Sequence, residues 1–282
     1  MTAMILPPAR DFGWLLKDPG STRFEIDRRA NGQFTVVLNH ALLRGVTSEM
    51  IHWWFLNFTR LRIRLEDVPG YEGALVPAYL LWHPSDHVDA VLKGRTGPGG
   101  TAQAGARIHI REAMQTIKYG LRYPVDAELM IHYCAGDGWA MGRALPLIGQ
   151  VMCLRIHYRD VTDRGRHLGV HYHYEVVIGA SGNNPLLRAF NRKLTAQYSL
   201  DFFEAWHLHN TIEVGTFENF LPALYEQRDK PTPTFARDMN SAAGLPAQNT
   251  SQDQALFARR VAALAQADDP FDARGAVRPS IL

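Results

Sequence analysis

The residues best suited to chemistry in this 282-residue chain lie in FFEAWHLHNTIEVGTFENF, residues 202–220. At helical spacing, Phe202, Trp206, His209, Glu213, Thr216 and Phe220 fall on one face. The aromatic positions and Thr216 suit a core, whereas a buried imidazole and carboxylate without partners are strongly disfavoured. His209 and Glu213 stand at i, i+4 and project the same way, which is how one helix offers two ligands to a metal ion. The same spacing also suits a buried His–Glu hydrogen bond or a partly wet groove.

A zinc site needs further protein ligands, and histidines or carboxylates elsewhere must supply them. LWHPSDHVD (81–89) offers His83 and His87, and Pro84 leaves open which of them faces inward. If RIHIREAM (107–114) is a strand, Glu112 shares a face with Ile108 and Ile110, and His109 lies beside Arg107 and Arg111. A carboxylate on the apolar face is unexpected. A phase slip by one residue, or a strand ending at Glu112 in solvent, would remove the anomaly. In the segment 151–178, His157 shares a face with Val151, Cys153 and Arg155, and Tyr172 with Val170 and Tyr174. These two could line a concave face and grip phenolic or carbonyl oxygens, or they could belong to an amphipathic surface strand.

The elements that must position these residues follow from periodicity. FTVVLNHALLRGV (34–46) reads as a strand, and Thr47 or Ser48 caps an apolar helix over 49–58. GALVPAYLLWH (73–83) reads as extended, and KGRTGPGGTAQAG (93–105) as a flexible loop without the lysine and hydroxyl of a P-loop. Between 106 and 180 four period-two segments succeed one another without intervening helices, with RDVTDRGR (159–166) as a hairpin loop. Asn183 or Asn184 with Pro185 then starts a helix whose apolar positions keep register to Phe220. The expected fold is α+β: a curved antiparallel sheet around one long C-terminal helix, with a smaller N-terminal portion. The divisions expected are 1–72 for that portion, 73–227 for the catalytic domain and 228–282 for a peripheral or partly disordered tail with a modest helix near 252–266.

Composition narrows the class. A formal net charge of +2 gives no electrostatic reason to expect nucleic acid or an anionic membrane as a partner. The two cysteines, Cys134 and Cys153, form no disulfide framework and no metal knuckle. No segment approaches the apolar length of a membrane span, and residues 1–28 hold no signal-peptide run, so a cytoplasmic location is expected.

Four segments together, YLLWHPSDH (79–87), RIHIRE (107–112), NNPLLRAFNRKL (183–194) and EAWHLHNTIEVGTFENFLPALY (204–225), resemble the diacetylphloroglucinol hydrolases and phloretin hydrolases. The resemblance spans roughly 45–226 and is most specific in WHxHNxxEVGxxExFLPxLY. It implies a Bet v 1-like helix-grip fold and a zinc-dependent hydrolase that cleaves aryl–acyl C–C bonds of small polyphenolic ketones, acting as a homodimer. Carried over by position, it implies Zn2+ ligands at His87, Glu112, His209 and Glu213, with His83 as the alternative to His87. It further implies active-site roles for Tyr79, His157 and Tyr172. Val88, Asp89 and Ala90 stand where the family has an asparagine just after the first ligand, which bears on the substrate. Two other classes fit the same pocket without metal: a helix-grip carrier of aromatic or lipophilic ligands, and a polyketide cyclase or aromatase. Two imidazoles with two carboxylates would also suit Mn, Fe or Co.

Overall fold

The computed structural model describes residues 5–115 and 122–245. Eleven strands and five α-helices are formed among them. In chain order they are β1 (Arg23–Arg28), β2 (Phe34–Asn39), α1 (Ser48–Asn57), β3 (Arg62–Leu65), β4 (Leu75–Pro77), α2 (Tyr79–Trp82) and β5 (His87–Lys93). Then come β6 (Arg107–Gln115), β7 (Arg122–Ala135), β8 (Gly138–Leu145), β9 (Gly149–Asp163) and β10 (Arg166–Ile178). The chain continues through α3 (Pro185–Thr195), α4 (Leu200–Gly215), α5 (Phe217–Tyr225) and β11 (Thr234–Phe235).

The main sheet is antiparallel throughout, in the order β1-β2-β10-β9-β8-β7-β6-β5. Side chains alternate along each strand, so one face of this sheet carries Ile108, Ile110, Leu154, Ile156, Tyr172 and Tyr174, all buried. α4 lies against that face: Phe203 meets Phe34 of β2 at 5.8 Å, and Trp206 meets Tyr174 of β10 at 6.2 Å. The molecule is therefore α+β, an antiparallel sheet with a helix from the C-terminal part of the chain on its inner face.

Several expected boundaries move. The N-terminal portion is not a separate body, because β2 pairs with β10 and its hairpin extends the main sheet. The expected single helix is three. Asn184 and Pro185 do start α3, the Asn184 side chain accepting from Leu187 N. The helix ends at Thr195, and Ser199 restarts it by capping α4 at Phe202 N. At the α4–α5 junction Thr216 Oγ1 lies 2.7 Å from the Glu213 carbonyl and 2.8 Å from that of Trp82. The segment 73–83 is not wholly extended: after β4 it makes the single turn α2. The expected loop 159–166 shrinks to a turn, since β9 and β10 run on to Arg164 and Gly165, both with positive φ. The segment 228–245 is not peripheral throughout, because β11 pairs with β3 and buries Phe235. The helix expected over 252–266 lies outside the described residues.

Of the short elements, α2 does most to shape the region beside the sheet's inner face. Its Trp82 packs edge-on to Trp54 of α1 at 5.6 Å and tilted to Phe217 of α5 at 5.3 Å. Burying an aromatic of this size contributes about 2–3 kcal/mol. That anchorage fixes a four-residue turn too short to be stable alone. Among the described residues no helix is long and apolar enough to cross a membrane.

Candidate metal centre

Four titratable side chains from three elements converge beside α2. β5 contributes His87, β6 Glu112 and α4 both His209 and Glu213, and one ligand-type atom from each lies within 4.8 Å of the others. His87 Nε2 is 3.7 Å from Glu112 Oε1 and 3.6 Å from Glu213 Oε1. His209 Nε2 is 3.5 Å from Glu112 Oε2 and 3.8 Å from Glu213 Oε2.

Local structure explains why these four meet. His209 and Glu213 share a helix face by their spacing. Glu112 points inward with Ile108 and Ile110, as strand alternation from those buried neighbours requires. His87 is opposite Glu112, but the next pair is Asp89 with Arg111, so Val88 is a bulge. Simple alternation from the inward Ala90 would have turned Val88, not His87, towards the core. The extra residue re-aims the strand by one position, a common device beside functional sites.

Each of the four is also held from outside. His87 Nδ1 donates to the Tyr79 carbonyl at 2.9 Å, and the Tyr79 ring stacks on the imidazole at 3.9 Å. The Tyr79 hydroxyl donates to Glu112 Oε1. His209 Nδ1 donates to Asp86 Oδ2 at 3.1 Å. Asn210 Nδ2 donates to Glu213 Oε2 at 3.1 Å. Such outer partners fix which imidazole nitrogen is free to bind and in which direction it points.

One atom tests whether a metal fits. His87 Nε2 is buried, aims at two carboxylates and has no hydrogen-bond partner among the described residues. Its Nδ1 already carries the proton given to Tyr79, so Nε2 presents a lone pair towards acceptors only. Burial, with the nearby His209 and His83, keeps this imidazole far below its usual pKa and therefore neutral. A lone pair facing carboxylates is explained by a cation between them. The imidazole–carboxylate separations are those of a slightly loose tetrahedron, whose edges at bonds of about 2.0–2.1 Å measure roughly 3.4 Å. Two nitrogen and two oxygen donors suit Zn2+, so the residues fit the group.

The electrostatics agree. Burial opposes a charge on His209, but its bond to Asp86 and the carboxylates of Glu112 and Glu213 outweigh that and raise it to about 9. Burial and the neighbouring Glu112 charge push Glu213 upward as well. Asp86 is held well below the carboxylate range: burial works against this, and hydrogen bonds and charge from His209 and His83 overcome it. Without a cation, His209 and Glu213 thus hold protons more tightly than usual, while His87 stays neutral.

Glu112, His209 and Glu213 form part of the wall of a cavity of about 480 Å³, with His87 stacked behind the lining residue Tyr79. Phe55, Phe58, Trp139, Tyr174, Phe202 and Trp206 give it an aromatic lining. Tyr172 also faces it, fully buried, and burial above all holds its hydroxyl protonated far above the ordinary range. A flat apolar molecule with a few oxygens matches such a lining.

The structure brings Tyr79, Glu112, Tyr172, His209 and Glu213 to this cavity and places His87 in the cluster beside it. It does not bring His157. On β9 and β10 Tyr172 pairs with Tyr158 and His157 with His173, and paired residues share a face. His157 is therefore on the opposite face from Tyr172, exposed, with its ring 6.3 Å from that of His173. A role for His157 at the ring hydroxyls is corrected on this ground. The inward phase of β9 is Met152, Leu154 and Ile156, and its richer apolar content was the signal in the sequence. His83 stands behind the cluster: its ring stacks on His209 at 4.7 Å, and its Nδ1 accepts from the backbone N–H groups of Ser85 and Asp86. Asp86, Asn210 and Tyr174 were missed as site residues, although the first two sit inside the sequence motifs.

No protein-family model matches this chain, and a comparison with curated proteins gives no match. Among solved structures it is similar to a Staphylococcus aureus protein of unknown function, at 8% identity and a TM-score of 0.28, over 64% of this chain and 94% of that one. It is also similar to Ara h 8.0201, at 10% identity and a TM-score of 0.30, over 66% of this chain and 98% of that one. Similarities at these scores carry no argument about this chain. The fold and the site rest on its own strands, helices and side chains.

Proposed function

We propose that this chain is a zinc-dependent hydrolase that cleaves the aryl–acyl C–C bond of acylphloroglucinols, giving a phloroglucinol and a carboxylic acid. The observation that carries the proposal is the convergence of His87, Glu112, His209 and Glu213, each braced by an outer partner, beside an aromatic cavity that the last three help to line. The motifs shared with diacetylphloroglucinol and phloretin hydrolases supply the substrate class, and a Bet v 1-like helix-grip fold, a homodimer and a cytoplasmic location belong to the same reading.

Zn2+ held by these four residues would supply Lewis acidity towards an acyl oxygen and lower the pKa of water. The protein's own groups do the rest. The aromatic walls stack a flat ring and exclude water. Tyr172 and Tyr174 keep their protons, since burial pushes both hydroxyls far above neutrality, and so they donate to ring oxygens. Holding those oxygens as carbonyl-like acceptors favours the tautomer with a proton on the acyl-bearing carbon. In that tautomer the acyl-bearing carbon is sp3 and lies between the acyl carbonyl and a ring carbonyl, so the scissile bond is that of a β-diketone. Hydrolysis adds water across the bond, the acyl carbon leaving as the acid and the ring as an enolate that rearomatises. Tyr79, donating to Glu112 and stacked on His87, orients ligands rather than substrate.

The test is elemental analysis of the purified chain together with an assay on diacetylphloroglucinol and phloretin, with and without chelator. About one zinc per chain and chelator-sensitive cleavage are expected. Metal-free protein that binds these compounds without consuming them would make it a carrier instead.

A further inference from the structure

Glu213 presents two oxygens: Oε1 lies 3.6 Å from His87 Nε2, and Oε2 lies 3.8 Å from His209 Nε2. Oε2 takes the hydrogen bond from Asn210, one turn earlier on α4 and buried. A carboxylate only accepts, so Asn210 must turn its NH2 end to Glu213. An amide has no intrinsic preference for that orientation, and something must hold it.

His40, just beyond β2, is the group in place. Its Nε2 is 3.0 Å from Asn210 Oδ1, and its Nδ1 is 3.4 Å from Thr22 Oγ1. With the Asn210 oxygen facing it, His40 carries its proton on Nε2 and accepts at Nδ1, and the Thr22 hydroxyl supplies that bond. The chain of donors then runs one way, from Thr22 through His40 and Asn210 to Glu213. Burial foremost, and then the charge of Lys17, lowers His40 to about 3, which keeps the single N–H this arrangement needs. Reversing the amide would set oxygen against oxygen at Glu213 and N–H against N–H at His40.

We propose that His40 and Asn210 are positioning residues for the metal centre. His40 locks the Asn210 amide, and Asn210 ties down Glu213 Oε2 so that Oε1 is left to bind. The inference rests on the metal-site reading of the quartet and assigns work to two residues that touch no metal.

The test titrates chelator-stripped full-length chain with Co2+, followed by visible absorption, alongside thermal melting of the metal-free form. Asn210→Leu is expected to weaken Co2+ binding roughly ten- to hundredfold, the usual loss when an outer partner of a ligand is removed. His40→Leu should weaken it by about tenfold, while His40→Gln, whose amide N–H can still donate to Asn210 Oδ1, stays within about threefold. Should Asn210→Leu fail to fold, the two His40 variants decide. Variants that lower only the metal-free melting temperature, with Co2+ affinity unchanged, would overturn the proposal, as would His40→Gln binding as weakly as His40→Leu. Wild-type chain that takes up no Co2+ would sink the metal reading itself, which is a distinguishable result.

Discussion

The two faces of the main sheet both carry histidines, and they differ in everything else. On the outer face His157, His171 and His173 come from neighbouring strands, and the nearest polar partner of His173 is the amide of Asn39 at 2.7 Å. On the inner side His87 and His209 meet two carboxylates, are almost fully buried and are each held at Nδ1 by a defined acceptor. Counting imidazoles would rank the outer group first. The comparison teaches that a candidate metal centre is distinguished by what stands behind each histidine and by carboxylates that burial would otherwise forbid.

The sharpest break is a pair of substitutions across the sheet. His209→Ala should abolish metal binding and cleavage, and His157→Ala should change neither. Equal metal content in wild type and His209→Ala would remove the basis of the distinction. A smaller effect is expected within the inner face. Tyr172→Phe should retain full metal but lose roughly tenfold or more in turnover, tenfold being the scale of one lost hydrogen bond to the substrate. Loss of zinc in that variant would mean Tyr172 supports the ligands rather than the substrate.

Acid stability gives the mildest test. His40 titrates near 6.5 when unfolded and about 3 when folded, so the unfolded chain binds the proton first as pH falls. The stability tied to neutral His40 is whole above about pH 6.5 and is lost progressively towards pH 3. Denaturant titrations at about pH 7 and pH 4.5 should therefore show a smaller loss for His40→Gln than for wild type. An identical acid loss in both would mean His40 is not the group that senses pH.

The convergence of His209 and Glu213 on one site is legible in the sequence, because a charged pair in an aromatic stripe has few explanations. Glu112 was readable for the same reason, being a carboxylate in phase with Ile108 and Ile110. His87 was not separable from His83 by pattern, since the bulge at Val88 breaks the alternation that would have been used to aim it. The resemblance carries His157 into the site by position, and strand phase gives no clear warning against it, because both phases of β9 begin with apolar residues, Val151 and Cys153 on one and Met152 and Leu154 on the other. The long helix was overread because the apolar positions keep register through Gln197, Tyr198 and Ser199, while the cap at Ser199 breaks the backbone. Asn210 stands as a fixed position of the motif WHxHNxxEVGxxExFLPxLY, but it and His40 carry no periodic signal that would assign them a task, one being an uncharged amide and the other a histidine at a strand end.

The candidate ligands come from a hairpin, β5 and β6, and from a helix roughly a hundred residues further along the chain. An ion joining them would act as a cross-link that closes a very long loop, and the entropy removed from the unfolded chain grows with loop length. Supply of the ion and persistence of the protein would then be coupled. In a cell short of that metal, the first sign would be faster turnover of the polypeptide by proteases, ahead of any accumulation of intact but idle molecules.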